Sequence, residues 1–211
     1  MKCTLLLFLL IPILTCSQID TIMSSNIQRT YKVQLPTEFN KQKEYPVVFV
    51  LHGYYHENLG MPEYSGFDKF IDRDCIVVYP HGLKEEYGIN YFWNSGGGLS
   101  QNYGGIDDVQ FIEDLIDELP NRYPINRNRV YIVGHSNGGM MSYRFAMELS
   151  HKITAMANLA GSMIFDTSTP KFPLPILHIH GTLDAAVPLS GSKNPIGPFL
   201  AIDDVLKKWV Q

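Results

Sequence analysis

Gly134-His135-Ser136-Asn137-Gly138 sets a serine between two glycines at the spacing G-x-S-x-G. A serine at the tip of a tight strand-to-helix turn is open to an incoming carbonyl. The helix N-terminus beneath it favours the negative charge that develops on attack. Side chains two residues to either side would collide with the adjoining strand and helix, which is the physical reason for glycine there. Ser136 is the candidate nucleophile. The oxyanion formed on attack needs two backbone N–H groups. One is that of Asn137, directly after the serine; the other is that of Tyr54, in the loop that follows "LHG" from Leu51. Asp184, in "HIHGTLDAAVP" from His178 to Pro188, lies 48 positions after Ser136 and a few residues past a buried-strand pattern. It is the candidate acid that would orient an imidazole, and a solvated turn aspartate is the other reading of it.

Three further residues are candidates for substrate contact. His56 lies on the loop expected to carry the oxyanion amide, Trp93 precedes the three glycines of "YFWNSGGGLS", and His135 sits inside the elbow. The sequence places Trp93 on a mobile loop at the mouth of the site. The glycines lack a Walker lysine, so phosphate binding is not expected. His52, before Gly53, reads as a structural hydrogen-bonder. Asp107 and Asp108 read as charges at a helix N-terminus rather than as metal ligands; no metal and no cofactor are expected.

These residues need a scaffold, and the apolar patterning supplies one. "YPVVFVLHG" (Tyr45 to Gly53), "CIVVYPHG" (Cys75 to Gly82), "RVYIVG" (Arg129 to Gly134), "ITAMANLAG" (Ile153 to Gly161) and "PILHIHG" (Pro175 to Gly181) are short continuous apolar runs ending in glycine. Such runs suit strands covered on both faces of a parallel sheet. Between them, Val109, Ile112, Leu115, Ile116 and Leu119 recur at helical spacing from Asp107 to Tyr123. A second helix is expected from Asn137 to Ser150. A last one has Phe199, Ile202, Val205, Leu206 and Trp209 on one face. "IQRTYKVQLP" reads as an antiparallel edge strand. Alternating strands and helices give an α/β fold with a mostly parallel, doubly wound sheet and helices on both faces. Its functional loops belong at the carboxyl ends of the strands.

The chain has 211 residues, is 45% hydrophobic and 18% charged, and carries a net charge of -4. That is one ordinary α/β domain with no basic stripe, so nucleic acid is not an expected partner. Residues 1–17 read as a signal peptide: Lys2 is followed by an apolar run from Leu5 to Leu14, too short to span a bilayer, and small residues precede Gln18. A lipoprotein reading with Cys16 lipidated is the alternative. The expected location is secreted, extracellular or periplasmic, with no stable membrane span. Cleavage after residue 17 removes Cys3 and Cys16, leaves Cys75 alone and excludes an intramolecular disulfide.

Taken together, "VVFVLHG", "VVYPHG" with "FWNSGGG", "GGIDDVQFI", "INRNRVYIVGHSNGGMMSYRFA" and "LHIHGTLDAAVP" resemble the secreted polyhydroxybutyrate depolymerase and feruloyl-esterase-like branch of the α/β-hydrolase superfamily. The resemblance spans about Val47 to Pro188. It implies an α/β-hydrolase domain over 18–211 and a secreted serine esterase forming an acyl-enzyme on Ser136, with Asp184 as triad acid. The implied substrates are polyhydroxyalkanoate-type polyesters or feruloyl and acetyl esters of polysaccharides. A serine peptidase of the same fold, or an inactive hydrolase-fold binding protein, are the other readings.

The resemblance also implies a catalytic histidine after Asp184. The seven histidines, His52, His56, His81, His135, His151, His178 and His180, all precede it. The sequence therefore predicts a domain truncated at its C-terminus, with the histidine beyond residue 211. It also predicts that "PILHIHG" is an apolar strand with an unpaired edge, prone to aggregation.

Overall fold

The computed structural model describes residues 18–54, 61–72, 74–84, 89–97, 105–164, 170–194 and 197–210. The signal-peptide reading, His56 and Gly98 fall outside these residues. Seven strands form one sheet: β1 (Gln18–Ser24), β2 (Ile27–Gln34), β3 (Tyr45–Leu51), β4 (Ile76–Pro80), β7 (Ile125–His135), β8 (Ala155–Leu159) and β9 (Ile176–Ile179). Their spatial order is β1-β2-β4-β3-β7-β8-β9. The pairs β3/β4, β3/β7, β7/β8 and β8/β9 are parallel, and β1/β2 and β2/β4 antiparallel. Two short hairpins stand apart, β5 (Leu83–Lys84) with β6 (Tyr91–Phe92) and β10 (Ser192–Asn194) with β11 (Gly197–Phe199).

Side chains alternate across the strands and feed two cores. Val47, Phe49 and Leu51 of β3 join Ile76 and Val78 of β4 against α2 (Asp108–Arg122) and α3 (Asn137–Glu148). Val205 of α4 (Ile202–Trp209) enters the same core. On the opposite face Val50, Val77 and Tyr79 pack with Met61 of α1 (Met61–Ser65) and Phe67 of a 3₁₀ turn (Phe67–Asp72). The mostly parallel sheet with helices on both faces is therefore as expected, and all five apolar runs are strands.

The edges differ in one place. "IQRTYKVQLP" is the second strand, not the edge, because Gln18–Ser24 folds back on it. Ser25 and Asn26 both take left-handed conformations (φ 48 and 64), the geometry of a two-residue hairpin turn. At the other end β9 closes the sheet order. Its Leu177 and Ile179 are 57% and 52% exposed, while the alternate residue His178 turns towards α3.

Asp107 and Asp108 part company. Asp107 caps α2, its carboxylate accepting the Gln110 N–H at 3.0 Å. Asp108 is fully buried and pairs with the equally buried Arg29 of β2 at 2.6 Å. The Arg29 guanidinium also donates to the His81 carbonyl and lies 4.0 Å over the Phe111 ring. Asp108 is thus a tie between β2 and α2, not merely a charge at a helix end.

Candidate active site

Strand β7 delivers Ser136 to the carboxyl edge of the sheet, and α3 begins one residue later. Ser136 has φ 52 and ψ −116, a strained conformation for a residue with a side chain. Its N–H is held by the Leu159 carbonyl at 2.8 Å. The two motif glycines permit the turn. A Cβ at Gly134 would sit 2.1 Å from the Gly138 carbonyl oxygen, and one at Gly138 would sit 2.4 Å from that of His52. The elbow expected from the spacing is present, with both glycines forced by backbone contact.

Asn137 has a second function that the sequence did not reveal. Its side-chain amide pairs with the backbone of Trp93 as a strand would: Oδ1 accepts the Trp93 N–H at 2.6 Å and Nδ2 donates to the Trp93 carbonyl at 3.1 Å. Its own backbone N–H, first in the helix, has no intrahelical acceptor. Trp93 is not on the rim. It is fully buried, its indole N–H donates to the His52 carbonyl at 2.9 Å, and its ring packs on the His52 imidazole. The expectation of a mobile tryptophan fails because an indole N–H in an apolar wall needs a fixed acceptor. The next residue is equally anchored: the Asn94 N–H donates to Asp108 at 2.7 Å, and the Asn94 carbonyl accepts from Arg144. Asn137→Ala should strand both Trp93 backbone groups while sparing the Asn137 N–H. We expect a loss of about 1–3 kcal/mol in denaturant unfolding. The shifted cavity wall should lower kcat/KM by roughly ten- to a hundredfold.

His52 is structural, as expected. Its Nε2 accepts the Gly82 N–H at 2.9 Å and its Nδ1 lies 2.5 Å from the Gly53 carbonyl, tying the ends of β3 and β4 together. Burial lowers its pKa from 6.5 to about 3, and lowers that of His81 to about 4. Both groups are neutral when folded, whereas the unfolded chain takes up their protons near pH 6.5. Their contribution is thus fully present above about pH 6.5 and is lost as pH falls towards 4, at ~1.4 kcal/mol per pH unit for each group. Thermal melts should show Tm falling steeply between pH 6 and 4; a flat profile there would contradict the buried neutral state.

Ser136 opens on a cavity of about 180 Å³ walled by Tyr54, Phe92, Trp93, Met140, Ile164 and Val187. Ala186 and Val187 bring the Asp184 loop to the same cavity. Asp184 Oδ1 accepts the N–H groups of both, each at 2.9 Å, and Oδ2 lies 3.5 Å from His180 Nε2. His135 does not join them. Successive side chains leave a strand on opposite faces, and His135 lines a separate, largely apolar cavity of about 220 Å³ with Tyr64, Met61 and Phe67. Its ring packs on Tyr64, so the expected contact with a substrate at Ser136 is not supported. Burial lowers the His135 pKa, opposed by the charge of Asp184. Among the described residues no histidine is hydrogen-bonded to Ser136. None of their helices is long and apolar enough to cross a membrane.

The family model for phospholipases and carboxylesterases matches residues 34–196, which includes the elbow, the Trp93 loop and Asp184. The chain belongs to this family. It is 31% identical over 141 residues to the bifunctional acetylxylan esterase/xylanase of Neocallimastix patriciarum, covering 66% of this chain and 19% of that protein. It is 25% identical over 178 residues to the probable feruloyl esterase C of Aspergillus terreus, covering 82% and 61%. It is 27% identical over 198 residues to the poly(3-hydroxyoctanoate) depolymerase of Pseudomonas fluorescens, covering 82% and 69%. The chain thus spans less than two thirds of the first two. A thermostable esterase of known structure superposes with a TM-score of 0.67 at 19% identity, over 92% of this chain and 51% of that one, and supports the α/β-hydrolase fold.

Proposed function

We propose that the protein is a secreted serine esterase that hydrolyses carboxylic esters through an acyl-enzyme on Ser136. The observation that carries this is the strained Ser136 at the β7–α3 elbow, opening on an apolar cavity. In this reading Ser136 Oγ attacks the ester carbonyl carbon. The N–H groups of Asn137 and Tyr54 hold the oxyanion, and the alcohol leaves with the serine proton. Water then releases the acid and restores Ser136. Asp184, its Oδ1 fixed by two amides, orients a histidine that carries the proton. This reading takes that histidine from outside the described residues.

The names of the relatives, two of them esterases and one a poly(3-hydroxyoctanoate) depolymerase, favour ester over amide substrates. Polyhydroxyalkanoate-type polyesters and feruloyl or acetyl esters of polysaccharides are the proposed substrate classes. Secretion rests on Lys2 and the apolar run Leu5 to Leu14. The test is a panel of p-nitrophenyl acetate and octanoate, methyl ferulate, 3-hydroxybutyrate oligomers and peptide anilides, with a fluorophosphonate to trap the nucleophile. Ester turnover and labelling at Ser136 are expected, without anilide cleavage. If the 211 residues lack the base, added imidazole should raise turnover, and only while Ser136 is present. No labelling and no imidazole-dependent turnover would overturn the reading.

A further inference from the structure

Beneath the Asp184 loop runs a chain of four hydrogen-bonding groups. The Tyr143 hydroxyl lies 2.7 Å from His178 Nδ1, His178 Nε2 lies 3.2 Å from His180 Nδ1, and His180 Nε2 lies 2.7 Å from the Val187 carbonyl. The two imidazoles are almost parallel, at 4°.

The last acceptor decides every proton upstream. A carbonyl oxygen only accepts, so His180 Nε2 must donate. In the neutral ring His180 Nδ1 must then accept, which makes His178 Nε2 a donor. His178 Nδ1 must accept in turn, and the Tyr143 hydroxyl supplies the proton. The chain therefore runs one way, from tyrosine to carbonyl, and both rings carry hydrogen on Nε2. The chemistry of its members agrees. Tyr143 is fully buried in α3, and burial keeps its hydroxyl protonated. Burial, reinforced by His180, lowers the His178 pKa to about 4, so that ring is neutral near pH 7.

The far end of the chain is the loop that bears Asp184. Val187 is gripped twice, its carbonyl by His180 and its N–H by Asp184 Oδ1. Its side chain meanwhile walls the Ser136 cavity. The position of the carboxylate and of the cavity wall thus depends on one imidazole N–H pointing one way. We propose that His180 is the positioning residue of the Asp184 loop, locked in its Nε2–H tautomer by the Val187 carbonyl at the end of the one-way chain from Tyr143. The purpose of that positioning rests on the esterase reading; the chain and its direction do not.

The test is nuclear magnetic resonance on the ¹⁵N-labelled full chain at pH 7.5. Long-range ¹H–¹⁵N spectra should show His178 and His180 neutral and protonated on Nε2. Amide exchange at Ala186 and Val187 then reads the loop directly. His180→Leu should speed it by about tenfold, the equivalent of one lost hydrogen bond. His180→Gln keeps an N–H within reach of the Val187 carbonyl and should restore slow exchange, which filling of space alone would not. A His180 that is protonated on Nδ1 or doubly protonated, or equal exchange in the leucine and glutamine variants, overturns the proposal. A p-nitrophenyl ester assay separates the two claims. His180→Leu should lower kcat more than it changes KM, and unchanged kcat beside a loosened loop removes the positioning role. Turnover that survives Ser136→Ala instead removes the esterase reading.

Discussion

In an enzyme that carries its catalytic histidine, Ser136→Ala should lower p-nitrophenyl ester turnover by a factor on the order of 10⁴ or more while leaving the protein folded. The methyl group has no lone pair to attack a carbonyl, so the acyl-enzyme cannot form. Nothing else in the elbow changes. The Ser136 N–H still reaches the Leu159 carbonyl, and the glycines at 134 and 138 still admit the close backbone contacts. Alanine keeps the same unfavourable φ of 52 and gives no relief. Ser136→Gly removes that strain and should raise stability by about 1 kcal/mol while abolishing turnover equally. Esterase kinetics and a denaturant melt on the same samples check both statements. Parent-level turnover in the alanine variant would move the nucleophile to another residue.

In an enzyme that carries its catalytic histidine, Asp184→Asn should cost roughly four orders of magnitude in kcat, the size seen when a triad acid loses its charge but not its shape. The structure says how. Oδ1 is already committed to the amides of Ala186 and Val187, so the asparagine carbonyl must take that place. The NH₂ group then stands where Oδ2 was, 3.5 Å from the His180 Nε2 that donates to Val187. A donor faces a donor there, and any imidazole seeking a carboxylate meets an N–H. Steady-state kinetics on a short-chain ester measure the loss. Kinetics equal to the parent's would assign the acid to another carboxylate.

The parts of this molecule that were readable in its sequence are those dictated locally. Strands such as Tyr45–Leu51 and Ile76–Pro80 are covered on both faces, so every position is apolar and the run stands out. The elbow was readable because backbone collisions at 134 and 138 leave only glycine. Gln18–Ser24 was not, because an edge strand alternating between solvent and α2 needs no apolar run, and its turn uses Ser-Asn rather than a glycine pair. Trp93 misled because three glycines beside it suggest motion, whereas its two anchors, Asn137 and His52, are 44 and 41 residues away along the chain. His178 and His180 were visible as a strand end. Their polarity is set by the Val187 carbonyl, and the hydroxyl that completes the chain is that of Tyr143, on a helix that no local pattern connects to them.

The buried pair of Arg29 and Asp108 also sets where the polypeptide can be trimmed. Arg29 belongs to β2, while the second oxygen of Asp108 holds the Asn94 N–H and so the segment that carries Trp93. A shortened protein starting at residue 34, where the family match begins, would lose the cation and keep the carboxylate. Removing one partner of a buried ion pair costs about 3–5 kcal/mol, comparable to the whole stability of many domains. Asp108 would turn towards water and release Asn94, and the wall opposite Ser136 would go with it. The smallest autonomous unit therefore includes β2, although that strand contributes no residue to the cavity.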